Sequence, residues 1–312
     1  MTKTPLIIDC DPGQDDAINL FMAFAARDAF DILGITTVAG NVGLDKTTRN
    51  ARILCEIAGH TNIPVHAGCD APLHYPLATA EEVHGQDGLD GVDIYEPAMP
   101  VQEQHAVDFI IETLRQSPAP VTLVPTGPLT NISEVLTRAP DVKTKIKEIV
   151  LMGGAMREGG NITPSAEFNI YVDPHAAKIV WESGVPIVAF GLDVTHKVLT
   201  SQDVLTRVKA LGNPVADAAY AIMRDYARFD SAKYGTDGGP LHDPCTIAYL
   251  IKPELFAMKT CNVQVEADSP LTRGHTAVDF WHTTDAPKNT RWAYDVDRDG
   301  FFDLLIELLG RF

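Results

Sequence analysis

Short, continuous apolar runs alternate along this chain with stretches of helical periodicity. PLIID precedes DDAINLFMAFAARD, ILGITTVAGN precedes TTRNARILCEIAG, PVTLVPTG precedes LTNISEVLTRA, EIVLMGG is followed further on by DPHAAKIVWESG, and PIVAFGLDVT precedes SQDVLTRVKAL. Strand and helix in repeated alternation predict βαβ units on a mostly parallel sheet with helices on both faces. Apolar runs that are unbroken rather than alternating suit strands buried on both sides. No repeat, low-complexity tract or linker divides residues 1–312, so the expectation is a single α/β domain around a Rossmann-like central sheet. Two irregular stretches stand out, residues 70–104 with HGQDGLDGVD inside and residues 229–242, FDSAKYGTDGGPLH. Long Gly-rich connections of this kind often serve as lids or binding loops.

The strand runs end in polar or small residues: Asp9 and Asp11, Asn41, Thr126, Gly153 and Gly154, and Asp193. Ligands of open α/β sheets bind outside the carboxyl ends of the strands, so these residues are expected to converge on one crevice. The densest polar group is IIDCDPGQDDAINL, residues 7–20, which crowds Asp9, Asp11, Asp15 and Asp16 around a Pro-Gly turn. Asp15 and Asp16 are expected at the N-cap and in the first turn of the following helix, where they favour its dipole. That role does not explain Asp9 and Asp11. Clustered carboxylates repel unless protonated, hydrogen-bonded or bound to a cation. With no Lys, Arg or His interleaved and Cys10 the one thiol, a hard divalent cation held by oxygen is favoured over zinc.

An EF-hand loop counted from Asp9 would need Gly at its sixth place and Glu at its twelfth, which here are Gln14 and Leu20. A haloacid-dehalogenase-like phosphatase would accept Asp9 and Asp11 but has Thr or Val where this chain has Gly13. DVDRDG at 295–300 also imitates a calcium loop, yet its twelfth place is Ile306 and TRWAYDV before it reads as a strand. A strand-to-helix turn capped by Asp299 and Gly300 is expected there.

Composition narrows the partners. The 25 Lys and Arg against 42 Asp and Glu leave a formal net charge of −17, which repels nucleic acid and anionic membranes. Cys10, Cys55, Cys69, Cys245 and Cys261 are odd in number and lack CxxC spacing, so reduced, mostly buried thiols are expected. MTKTPLIID carries no signal-peptide pattern and nowhere do about 18 apolar residues run together, so a cytoplasmic enzyme or binding protein is expected.

DCDPGQDDA satisfies the nucleoside hydrolase signature at every position, and from here the chain resembles the inosine-uridine preferring nucleoside hydrolase family nearly end to end. The resemblance also rests on ITTVAGNV, TRNA, HAGCDAPL, HGQDGL, VPTGPLTN, VLMGGA, AEFNIYVDPHAA, LHDPCTIAY and TRGHTAVDF, in that order. It implies Ca2+-dependent hydrolysis of the N-glycosidic bond of ribonucleosides to ribose and free base, a role in nucleoside salvage, and a homodimer or homotetramer. By this resemblance Asp11, Asp16, the Thr126 carbonyl and Asp243 hold the metal. Asp15, Asn41, Asn161, Glu167 and Asn169 surround the sugar, with Met152 and Phe168 in the same segments and His84 near the base. Asp11 is the implied general base and His242 the group that assists the departing base. Met152 otherwise reads as core, and Glu167 and Asn169 would share one face of a strand. Tyr226, Phe229 and Tyr234 all qualify as the aromatic against the base. A non-catalytic nucleoside or ribose binder and a haloacid-dehalogenase-like phosphatase are the alternatives.

Overall fold

The computed structural model describes residues 3–234 and 238–312, with the side chains of residues 227–234 outside the description. Ten strands are found among them: β1 (Thr4–Cys10), β2 (Phe30–Thr37), β3 (Val65–Ala67), β4 (Val121–Pro125), β5 (Ile146–Met152), β6 (Ile187–Phe190), β7 (Phe256–Cys261), β8 (Val263–Val265), β9 (Thr276–Val278) and β10 (Thr290–Val296). Eight form one sheet in the order β3-β2-β1-β4-β5-β6-β10-β7, while β8 and β9 pair as a separate antiparallel ribbon. Every pairing in the large sheet is parallel except β10 with β7 at the edge. The α/β expectation holds.

Side chains of β1 show why its apolar run is continuous. Leu6 and Ile8 pack into one core with Phe21, Phe24, Ile247 and Phe302, whereas Ile7 packs into the other with Ile110, Leu123, Ile132 and Trp181. Alternate residues of a strand point to opposite faces, and helices cover both. Burying each such side chain contributes about 1.5–3 kcal/mol before the entropy of ordering it is subtracted.

The chain leaves β1 towards β2 on one side and reaches β4 on the other, so the strand order reverses between β1 and β4. Asp9 sits in register with Thr36 on β2 and Pro125 on β4, which puts the acidic turn at this switch point. The helix that follows, α1 (Gln14–Ala25), starts earlier than expected: Gly13 is its N-cap, and Asp15 and Asp16 both lie in the first turn. Asp16 folds back to accept the Gly13 N–H at 3.0 Å.

Other boundaries also moved. Residues 229–234 are not loop but the end of the helix Pro214–Tyr234, because the apolar periodicity that starts at Val215 carries it through. Most of 70–104 is irregular, broken by one helical turn, Glu81–His84. The final helix, Arg298–Leu309, is capped by Asp297, whose carboxylate accepts the Gly300 N–H at 3.1 Å, rather than by Asp299. Glu167 and Asn169 lie on no strand, since Glu167 is the N-cap of the helix Phe168–Val172. All five cysteines are free thiols, four of them buried and Cys69 half-buried. Among the described residues no helix is long and apolar enough to cross a membrane.

Candidate active site

A cavity of about 390 Å³ opens at the carboxyl ends of the strands. Its acidic end is built from α1 and the segment before the helix Pro244–Ile251. Carboxylate oxygens of Asp15, Asp16 and Asp243 lie within 4.8 Å of one another, all three side chains buried. Asp16 also accepts the Thr126 hydroxyl at 2.7 Å and shares a hydrogen bond with Asp243, a contact between two carboxyls that requires a proton. Burial first, and then repulsion from neighbouring aspartates, pushes Asp243 well above the usual carboxylate range, and burial raises Asp16 as well. Among the described lining residues there is no Lys or Arg to offset this charge.

Asp11 lies in the wall behind these groups rather than on the cavity surface. Its Oδ2 accepts the Asn41 N–H at 2.7 Å, and its carbonyl accepts the Asn41 side-chain amide at 3.1 Å. Gly40 and Gly127 flank the carboxylate so closely that a Cβ would stand 2.1 Å from Oδ2 at the first and 2.5 Å from Oδ1 at the second. Burial, followed by repulsion from Asp16, raises Asp11 well above its ordinary range. Asp9 does not face the crevice. It is fully buried, and one oxygen accepts the Thr36 hydroxyl at 2.6 Å and the Asn131 amide at 2.8 Å. Burial pushes its carboxyl up to about 7. Asp193, also expected at the crevice, instead accepts the backbone N–H groups of Met156, Arg157 and Glu158.

The middle of the cavity is lined by Asn41, Thr126, Met152, Asn161, Glu167, Phe168 and Asn169. Asn169 donates to the Thr126 carbonyl at 2.7 Å and to the Met152 carbonyl at 3.3 Å. Glu167 accepts the Asn169 N–H at 2.9 Å and the Gly154 N–H at 3.0 Å, and burial pushes it up to about 7. Asn161 accepts the Phe168 N–H at 2.9 Å, tying the irregular stretch after β5 to the wall. Amides and carboxyls alternate here. Between them they offer donors and acceptors suited to sugar hydroxyls, each of which does both.

His84, His196, Tyr226 and His242 also line the cavity. His242 is buried with Nδ1 2.8 Å from the Thr195 hydroxyl, and burial holds it well below the usual imidazole range, so it is neutral near pH 7. His84 is pushed down to about 4 by burial; its Nδ1 lies 2.9 Å from Gln14 Oε1, and its ring stacks on Tyr226 at 5.7 Å. A side chain on Gly13 would collide with His84, its Cβ 2.6 Å from Nδ1, so the acidic turn and this histidine require a glycine between them. Of the three candidate aromatics, Tyr226 lines the cavity, while the side chains of Phe229 and Tyr234 lie outside the described ones.

Of the residues to which the family resemblance gave a metal, sugar or catalytic role, all border the cavity except Asp11 and Asp16, which stand just behind its surface. Sequence reading missed Thr195 and His196. Their signal was available in LDVTH, immediately after a buried strand run, at the same sheet edge as the aspartates.

The chain matches the family model of the inosine-uridine preferring nucleoside hydrolases over residues 6–303. It is 47% identical over 309 residues to the pyrimidine-specific ribonucleoside hydrolase RihA of Photobacterium profundum, covering 99% of both chains. Among solved structures it resembles the plant nucleoside hydrolase PpNRh1, with a TM-score of 0.92 and 32% identity over 99% of each chain. The purine-preferring ribonucleoside hydrolase from Gardnerella vaginalis is similar too, with a TM-score of 0.91 and 31% identity over 98% of each chain.

Proposed function

The chain belongs to the inosine-uridine preferring nucleoside hydrolase family, and from that premise we propose that it hydrolyses the N-glycosidic bond of ribonucleosides, pyrimidine ribonucleosides first, with Ca2+ at the acidic end. The observation that carries this reading is one cavity that brings together a buried all-oxygen acidic cluster and neutral histidines. The relative named pyrimidine-specific, at 47% identity, supports the substrate preference.

The residues fit a hard cation. Asp15, Asp16 and Asp243 gather carboxylate oxygens, with Asp11 and Thr126 beside Asp16 and no sulfur or imidazole ligand among them. Asp11, Asp16, Thr126 and Asp243 are the proposed ligands. When bound, the cation would polarise the attacking water and grip the sugar diol. Asp11, beside Asp16, is the carboxylate that would accept a proton from the attacking water. Breaking the C–N bond leaves positive charge on the ribose ring and the bonding electrons on the base. Asp15 and Glu167 face the ring side, where negative charge or dipole favours the transition state over the ground state. Asn41, Asn161 and Asn169 orient the hydroxyls. His242 is kept neutral, so it serves the departing base with a hydrogen bond rather than as a charged acid. A Thr195 hydroxyl that donates to Nδ1 leaves the imidazole hydrogen on Nε2 for this purpose.

Incubation with uridine, cytidine and inosine, with Ca2+ and after chelation, tests the proposal. Free base and reducing sugar should appear only with the metal, and fastest from the pyrimidine nucleosides. No turnover of any ribonucleoside would refute it.

A further inference from the structure

The connection between β9 and β10 holds a large apolar side chain out in solvent: Trp281 is 70% exposed. Its surroundings are firmly built. Asp279 accepts the N–H groups of Thr283 and Thr284 at 2.7 and 2.9 Å and their hydroxyls at 3.0 and 2.8 Å, which fixes the turn. Phe280 meets the indole edge-on at 5.3 Å, and Tyr294 of β10 meets Phe280 in the same way at 5.4 Å. Lys259 Nζ lies 4.1 Å from the Phe280 ring centre and 4.8 Å from that of Trp281, with Arg157 Cζ at 4.8 and 5.2 Å from the same two rings. Bracing of this kind orders the indole in advance, so less entropy is lost when a partner covers it.

The same connection runs on into a second cavity, of about 710 Å³, which shares no lining residue with the active-site cavity. Trp181, Val185, Pro186, Val263, Val265 and Pro287 give it apolar walls. Projection and cavity lie on one face of the large sheet. Trp181, at the cavity, donates to the Thr290 hydroxyl at 3.0 Å; Trp292, two residues further and so on the same face, stands in register with Lys259, which lies over the Trp281 ring. Their supporting residues are therefore offset by roughly 7 Å along β10. A projecting indole beside an apolar cavity is self-complementary, since a two-fold axis between them sends each copy's indole into the other's cavity and makes the contact twice. Any other partner would have to supply both a matching cavity and a matching projection. Two indoles and the walls they cover account for about 600–1,000 Å² of the roughly 1,200–2,000 Å² that a stable interface buries, and Phe280, Tyr294 and Lys288 stand at the rim to supply the rest. We propose that a second copy of this chain docks here, with Trp281 as the anchor and the cavity beside Trp181 as its receptor. This association is independent of the reaction assigned above.

Sedimentation velocity over a dilution series, with far-UV circular dichroism as the check on folding, tests this in the wild type and three variants. Trp281→Ala removes the projection from a position already in solvent. Ala286→Trp plugs the cavity from its own wall, and Gln264→Trp, at the exposed middle of β8, plugs it a second way. The wild type should sediment as a dimer or a multiple of one. Each folded variant should halve the mass of the particle or raise its dissociation constant at least about thirtyfold, as loss of a central interface anchor does. A monomeric wild type would overturn the assignment. So would Trp281→Ala, or either folded plug variant, associating like the wild type, and each of these results would leave the proposed function standing.

Discussion

The aspartates and the histidines of the one cavity are built by opposite strategies. The acidic cluster is compact in sequence: Asp11, Asp15 and Asp16 come from one turn and one helix start, and Asp243 alone arrives from afar. Burial drives protons onto Asp11, Asp16 and Asp243. The histidine cluster gathers His84, His196, Tyr226 and His242 from separate segments, and burial there drives protons off His84 and His242. The same low-dielectric surroundings thus neutralise both groups, by opposite proton movements. Under the proposed function a cation would restore charge to the aspartates, while the histidines would act neutral, through hydrogen bonds and stacking.

The strongest way to break this comparison is at the sugar. If carboxylates and cation grip a diol, 2′-deoxyuridine should fall behind uridine by about four to five orders of magnitude in kcat/KM, and similar rates for the two would refute that arrangement. Asp11→Asn comes next. It should cost about two to four orders of magnitude in kcat while ligand affinity, followed by equilibrium titration, changes little. A binding protein would show no turnover to lose.

Among the histidines the expected effects are smaller. Thr195→Val removes the hydroxyl hydrogen-bonded to His242 Nδ1 and should lower kcat about tenfold for nucleosides, with p-nitrophenyl β-D-ribofuranoside spared. Loss on both substrates would show that Thr195 supports the fold rather than the base. Smallest is a stability effect behind the acidic end. Asp9, pushed up to about 7 by burial, holds a proton in the fold that the unfolded chain gives up near its ordinary value of 3.8. Its contribution is present below about pH 4 and is lost as pH rises through about 7. Asparagine titrates nowhere in this range, so Asp9→Asn should flatten the decline in melting temperature between about pH 5 and pH 8 in chelated protein. The readout is the slope, and each kcal/mol corresponds to roughly 2–4 °C. An unchanged slope would mean that Asp9 is ionised in the fold.

Legibility followed the range over which each signal acts. The acidic turn was readable because a strand run, Pro12-Gly13 and a helix start lie within a few residues, and backbone geometry forces them to a strand end. Asp9 misled for the same reason. In a strand, Asp9 and Asp11 sit two positions apart and read as equals, but Thr36 and Asn131, distant in sequence, claim Asp9 for the interior. Glu167 and Asn169 were read as strand neighbours, although Glu167 caps a helix whose N–H groups it accepts. β10 was legible in TRWAYDV, but its antiparallel partner β7 and the β8–β9 ribbon escaped notice, since half-exposed strands carry little apolar periodicity. His196 escaped because LDVTH marks only a strand end, and Glu158 and His242 stand beside it only in the fold.

Hydrophobic order along the chain was sufficient to specify alternating strands and helices, the sheet edge at which chemistry gathers, and an acidic oxygen cluster suited to a hard cation. Those features depend on contacts between near neighbours, which any reading of the residues in order can see. Which aspartates face the cavity, which histidines are neutral and what orients each of them were decided by burial and by partners tens to hundreds of residues away. Desolvation and hydrogen bonding are properties of surroundings, and those surroundings exist only once the chain has folded.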